Sequence, residues 1–341
     1  MIVMAAKMQE TECGDATNFV ITLAGELLEQ AEGLVKMGLH ASYIINGYES
    51  ALKRAVEFLE KMTCYELKNV RDVQQVNDAI RSSLSSKLSN YSDFFSGILA
   101  EACVRCCPKN PQNFDVEYIR VGKLLGGSIY DSFILHGLMV NRNAETSINH
   151  FKNPKIAVYG SPLDTQASET KGTILIKNAD ELLNYTKSEE EHAEKVIKSI
   201  ADAGVNVIVS GGSVSDICLH YIEKYKMMCV RVLSKFELRR ICKCLGATGL
   251  VRIGAPTAEE MGYADEVTVQ EIGSQNVTIF KRESEDCKLA TIVLRGSTNN
   301  ILDDIERAID DGVNLYRMAL KDNRFVPGAG ATEIVIFSIY S

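Results

Sequence analysis

The segment GSTNNILDDIERAIDDGVN, residues 296–314, carries two Asp-Asp steps seven positions apart, at 303/304 and 310/311. A carboxylate held partly out of bulk solvent can be fixed in place and its basicity shifted, which a fully solvated one cannot. Turned as a helix of about 100° per residue, the segment gathers Ile301, Ile305, Ala308, Ile309, Gly312 and Tyr316 on one stripe, which marks a core-facing side. Asp303 and Asp310 then point away from the core. Asp304 and Asp311 fall at the stripe's edge, where a helix leaves its core and lines a cleft. Flank carboxylates are also commonly just solvated, so the helix alone leaves both readings open.

A second stretch with chemical potential is GDATNFV, residues 14–20, at the start of a helix. Free backbone N–H groups and the positive end of the helix dipole suit a phosphate there. Thr17 and Asn18 could add donors and Asp15 could hold Mg²⁺ through an oxygen or a water; equally, Asp15 or Thr17 could simply cap the helix. In VPGAGATE, residues 326–333, Gly328 and Gly330 let a backbone approach a ligand or make a turn. VSGGSVSD, residues 209–216, lacks both G-x-G-x-x-G and G-x-S-x-G spacing, which disfavours a dinucleotide turn or a nucleophile at Ser213. Cys103, Cys106 and Cys107, and Cys242 with Cys244, have no finger-spaced partners, so buried thiols are expected rather than zinc.

These residues need elements to position them. At 341 residues, 46% apolar and without Trp, the chain has room for two or more domains with real cores. A net charge of −8 argues against nucleic acid as main partner. No run has the length of a membrane span, and MIVMAAKMQE is too short and too soon acidic for a signal peptide. Ten Cys without framework spacing fit reduced thiols in the cytoplasm. Residues 1 to about 67 read as helices, one stopped by Gly38, and 68 to about 130 as mostly helical. FILHGLMV, KIAVYG, GTILIKN, VNVIVSGG, MCVRVLS and GLVRIG then read as strands, with VSDICLHYIEKYK and KFELRRICKCLGA as helices between them. That β-α-β-α-β run predicts a mixed or parallel sheet, inserted at about 132–287 into a helical frame. ATIVLRG is a last strand, and Gly126, Gly127 and Gly296 at the crossings are candidate hinges or plain turns.

GDATNFV, LRGSTNNILDDIERAIDDGVN and VPGAGATE occur together in the order and spacing of group II chaperonin subunits, and the resemblance covers essentially all 341 residues. Thr17-Asn18, SKFELRRICK and DDIERAIDDGVN resemble the theta class of subunit in the eukaryotic cytosolic chaperonin. The resemblance implies a multidomain α/β fold, with helical equatorial and intermediate parts and an inserted apical α/β domain bearing a helical protrusion. Its segments would be 1–66 equatorial, 67–131 intermediate, 132–287 apical and client-binding, 288–325 intermediate and 326–341 equatorial, with the protrusion at about 177–204.

The same resemblance implies ATP and Mg²⁺ as cofactors. Gly14, Asp15, Ala16, Thr17 and Asn18 match a phosphate cradle, with Asp15 linked to Mg²⁺. Gly328, Ala329 and Gly330 match glycines beside the nucleotide's sugar. Asp311 matches the aspartate that positions the water attacking the γ-phosphate, and Lys235, Phe236, Arg239, Arg240 and Lys243 fall on the helix beside the client groove. The implied partners are other subunits of a hetero-oligomeric double ring and unfolded clients such as actin and tubulin, with neither nucleic acid nor membrane. Ala16 and Ala329 depart from the family's glycines, so each methyl is expected to crowd a nucleotide or demand a backbone angle alanine resists. Met1 resembles an internal methionine of the family, and the sequence departs from the family after Glu333. A chain truncated at both ends is therefore expected to hydrolyse nothing, and a client-binding protein without ATPase activity is the alternative.

Overall fold

The computed structural model describes residues 1–164, 179–273, 275–283 and 289–340, of which 179–189 and 339–340 by backbone alone. The expected strand at 172–178 lies outside the described residues. Two compact units form, Met1–Val116 with Asp303–Ser341, and Glu117–Leu302. The first unit begins with α1 (Ile2–Glu12), α2 (Thr17–Lys36), α3 (Ala41–Lys61), β1 (Tyr65–Glu66), α4 (Val73–Lys87) and α5 (Ser92–Cys106). The second holds β2 (Ile119–Leu125), β3 (Phe133–Val140), β4 (His150–Lys152), β5 (Lys155–Tyr159), α6 (Ala179–Asp202) and β6 (Val207–Ser210). It continues through α7 (Asp216–Lys224), β7 (Met228–Arg231), α8 (Lys235–Leu245), β8 (Gly249–Leu250) and β9 (Gly262–Tyr263). β10 (Glu266–Ile272), β11 (Gln275–Lys281) and β12 (Ala290–Gly296) complete it, and α9 (Asn299–Ala319) returns the chain to the first unit, followed by β13 (Arg324–Phe325) and α10 (Ala331–Tyr340).

The core of the first unit is α9 laid against α4 and α5. On α4, Val76, Ala79, Ile80 and Leu84 recur at helical spacing and are buried, and on α5 Phe95, Leu99, Ala102, Cys103 and Cys106 do the same. From α9 come Ile305, Ala308, Ile309, Val313 and Tyr316, all buried. Gly312 lets the helix close on its neighbours: a Cβ there would stand 2.5 Å from Leu99 and 3.3 Å from Ile80. The Tyr316 hydroxyl donates to Val70 O at 3.0 Å while its ring meets Phe114 edge-on at 5.1 Å. One expectation is corrected at the start of α9. Ile301 is exposed and Leu302 takes its place, because Gly296 leaves room for the leucine: a Cβ on Gly296 would lie 2.9 Å from Leu302. Accordingly Asp303, placed on the solvent pole by the sequence, is half-buried. Asp304, placed at the edge, is exposed and paired with Arg307 at 3.6 Å.

Helix α2 stops at Gly38 as the sequence indicates, since Gly38 takes φ +97° and lets Leu39 N–H reach Leu34 O at 3.1 Å. The short β1–β13 pair registers Tyr65 with Phe325 and Glu66 with Arg324, tying the end of α3 to the VPGAGATE loop.

In the second unit β5, β6 and β7 are parallel neighbours in the order β7-β6-β5-β8, as the β-α-β-α-β reading requires. Their residues alternate between two cores. Ile156, Val158, Val207, Val209, Met228 and Val230 face α8 and the second sheet. Ala157, Tyr159, Ile208 and Cys229 face α6 and α7. Strands buried on both faces read as continuous apolar runs, and these do. GLVRIG forms only the two-residue β8 before the chain bends outward at exposed Val251. The other sheet runs β2-β12-β3-β11-β10-β4, and it corrects the helical reading of residues near 120, because β2 pairs in parallel with β12. Gly126 and Gly296 meet there, Gly126 N–H donating to Gly296 O at 2.8 Å.

Candidate functional site

The N-terminus of α2 is built without a cap. Ala16 stands at its N-cap with φ +64° and offers no side-chain acceptor. Asp15 does not serve either, because its Oδ1 accepts from the neighbouring Ala16 N–H at 2.6 Å. The first N–H groups of a 20-residue helix therefore have no side-chain cap, and residues 14–18 line a cleft of about 420 Å³ together with α1, Ile21, Lys87 and Asp311. An anion fits such an opening, with Thr17 and Asn18 beside it. Ala16 and Ala329 both adopt left-handed backbone, φ +64° and +56°, so the strain expected of these two departures is present. Gly14, at φ +78°, has no such freedom to change, since a Cβ there would meet the Asn314 carboxamide at 2.2 Å.

Asp311 enters the same cleft from α9. Its side chain keeps only 14% of its exposure and pairs with Lys87 Nζ, at the end of α4. Burial pushes the Asp311 carboxyl above the usual range; the charge of Asp15 adds to this and Lys87 opposes it. Asp310 is exposed, so the two members of this Asp-Asp step have the different environments read from the helix. A desolvated, basic carboxylate beside an anion site can orient a water and receive its proton.

Lys87 was not found by sequence reasoning. Its partner is 224 residues away, and its only local mark is its place in the last turn of a Ser-rich helix. Asp15 also lines an adjoining cleft of about 590 Å³, with Asp78, three serines of α4, Leu315 and residues 325–328. Gly328 is thus brought beside Asp15, whereas Ala329 and Gly330 make the turn into α10 and do not line that cleft. Among the described residues no three His, Cys, Asp or Glu side chains converge to hold a metal by themselves. The Asp15 carboxylate, on a cleft it shares with Glu10 and Asp311, does suit Mg²⁺, which keeps its waters and is completed by substrate phosphates.

In the second unit α8 starts at Ser234, whose hydroxyl accepts from Glu237 N–H at 3.4 Å, and ends at left-handed Gly246. Ile241 and Cys244 go to the core, and Leu238 packs over Gly211. Phe236 stays 67% exposed, with Lys235, Arg239 and Lys243 also outward and Arg240 half-buried. Burial and the like charge of Arg120 hold the Arg240 guanidinium below its ordinary pKa. Lys243 pairs with Glu117 at 3.6 Å. Of the cysteines weighed for zinc, Cys103, Cys106 and Cys244 are buried, and burial raises the Cys103 thiol.

Residues 1–338 match the model of the TCP-1/cpn60 chaperonin family. The chain is 50% identical over 334 residues to T-complex protein 1 subunit theta of Mus musculus, covering 98% of this chain and 61% of that protein. It is 49% identical over 334 residues to the Dictyostelium discoideum protein of the same name, covering 98% and 62%. For the Arabidopsis thaliana protein the figures are 46% over 336 residues, 98% and 61%. The chain therefore spans 61–62% of the length of these curated relatives.

Proposed function

The chain belongs to the TCP-1/cpn60 chaperonin family, and we propose that it acts as a theta-type subunit which binds unfolded proteins and couples their folding to ATP hydrolysis. The observation that carries the ATP part is the meeting of Asp311 and Lys87 at the uncapped N-terminus of α2. Three segments far apart in sequence supply a cleft of about 420 Å³, a carboxylate of raised pKa and a cation, which is the inventory of phosphoryl transfer. The N–H groups of α2, with Thr17 and Asn18, would hold phosphate oxygens; Asp15 would hold Mg²⁺, directly or through a water. Bound Mg²⁺ supplies neutralisation of phosphate charge. Asp311 would orient the attacking water and accept its proton, and Lys87 would keep that carboxylate placed. Gly328 would give the sugar close access to backbone, with Ala329 and Gly330 shaping the turn.

In this reading residues 1–66 and 326–341 are equatorial, 67–131 and 288–325 intermediate, and 132–287 apical. Its partners are other subunits of a hetero-oligomeric double ring in the cytosol, and clients of the actin and tubulin kind. No helix among the described residues is long and apolar enough to cross a membrane.

Client capture rests on α8. Phe236 provides an apolar anchor; Lys235, Arg239, Arg240 and Lys243 provide positive charge around it, which favours clients with acidic rims and sets on-rate and selectivity. Reversing Arg239, Arg240 and Lys243 to Glu in the whole chain should weaken capture of chemically unfolded actin, read by suppression of light scattering on dilution. Unchanged capture would remove α8 from the client site.

A further inference from the structure

Helix α9 brings more than Asp311 to the start of α2. Three residues on, the Asn314 amide donates to Gly14 O at 3.5 Å and to Asp310 O at 3.0 Å, the second bond fixing its orientation. Three further on, an Arg317 guanidinium N–H donates to Glu12 O at 3.0 Å. Gly14 is pressed so closely on the carboxamide that no side chain fits between them. The Nε of Arg317 is buried with no acceptor among the described residues, while a terminal guanidinium N–H holds the Glu12 carbonyl.

We propose that Asn314 and Arg317 are positioning residues that clamp the turn at residues 12–14 onto α9, so that the α2 N-terminus and Asp311 are set in register by a single helix. The proposal rests on the phosphate-site reading but adds the part that aligns it. The turn feeds directly into Asp15 and Ala16, whose placement decides where the free N–H groups of α2 aim. An Asp311 carried by the same helix then meets that N-terminus only while the turn is seated. Reacting groups displaced by about 1 Å lose on the order of 10²-fold in rate, so a clamp of this kind matters to chemistry without touching the nucleotide.

The test uses the chain with Asn314→Ala, Arg317→Ala and the conservative Arg317→Lys. Removing one partner of a half-buried hydrogen bond should speed amide exchange of Cys13 and Gly14, which donate to Gln9 O, about tenfold in both alanine variants. Exchange in α4 and α5 should stay unchanged, and Arg317→Lys should restore part of the protection. The Asp311 carboxyl, followed by NMR with labelled Asp, should titrate closer to its ordinary range in the alanine variants. An unseated turn takes away both the cover and the charge of Asp15. Unchanged exchange and unchanged Asp311 titration in both alanine variants would overturn the clamp. Calorimetry with Mg²⁺ and ATP on the chain extended to the length of its relatives separates the two ideas: no nucleotide binding by the wild type, with these exchange effects present in the variants, removes the phosphate-site reading and leaves the clamp standing.

Discussion

Replacing Gly312 by Ala tests whether α9, and with it Asp311, is placed by a glycine-sized gap. Ala is favoured over Gly in a helix interior by about 1 kcal/mol, so propensity alone calls for stabilisation. The added Cβ, however, would stand 2.5 Å from Leu99 Cδ2 and 3.3 Å from Ile80 Cγ2, with both partners fully buried. Overpacking of this sort costs about 1–3 kcal/mol, so the net expectation is a loss of about 0–2 kcal/mol. The decisive quantity is the coupling with Leu99. Leu99→Ala alone should cost about 2–5 kcal/mol through the cavity it opens, and the new methyl of Gly312→Ala would fill part of that space. Urea unfolding of the two single variants and the double variant should therefore give a double variant less destabilised than the sum, by 1 kcal/mol or more. Additivity within about 0.5 kcal/mol, the behaviour of sites that do not touch, would refute the close approach of α9 and α5.

Ala16→Gly and Ala329→Gly should each stabilise the chain by about 0.5–1 kcal/mol. Relief of left-handed alanine, worth about 1–2 kcal/mol, outweighs the extra freedom glycine gains when unfolded, about 0.4–1 kcal/mol; a loss in denaturant midpoint for both would contradict that backbone. Asp311→Asn should gain stability over the wild type as pH rises from 4 to 7. The folded carboxyl is held above its unfolded value, so its favourable contribution is full below the unfolded pKa of about 3.9 and lost as pH rises through the folded one. A variant whose advantage shrinks with rising pH would show the shift to have the opposite sign.

How much of this was legible depended on the range of the signal. The buried stripe of α9 and the contrast of Asp310 with Asp311 follow from helical period alone, and the parallel strands follow from their continuous apolar runs. The first turn of α9 was misread because Leu302 and Ile301 are equally apolar, and only the space left by Gly296 chooses between them. Lys87 was invisible because an ion pair across 224 residues leaves no trace in local sequence. The β10–β11 hairpin went unread, although alternating Val267 and Val269 before a Gly273-Ser274 step is a hairpin signal. Strand β2 was lost to the helical neighbourhood that precedes it; its partner β12 lies far along the chain. GDATNFV leaves open whether Asp15 or Thr17 caps α2; that neither does rests on the left-handed Ala16 at the N-cap and the bond from its N–H to Asp15, which local sequence does not show.

The claim that Asp311 is the hydrolytic carboxylate is tested most directly by comparing it with its neighbour. In the chain extended to the length of its relatives with the flanking segments of the Mus musculus protein, Asp311→Ala and Asp310→Ala would be assayed for ATP affinity and for single-turnover hydrolysis. Asp311→Ala should leave affinity nearly unchanged and slow hydrolysis by on the order of 10²-fold or more, a loss confined to the transition state. Asp310→Ala, on the exposed face, should do little. An inactive Asp310→Ala, or normal turnover by both variants, would contradict the assignment.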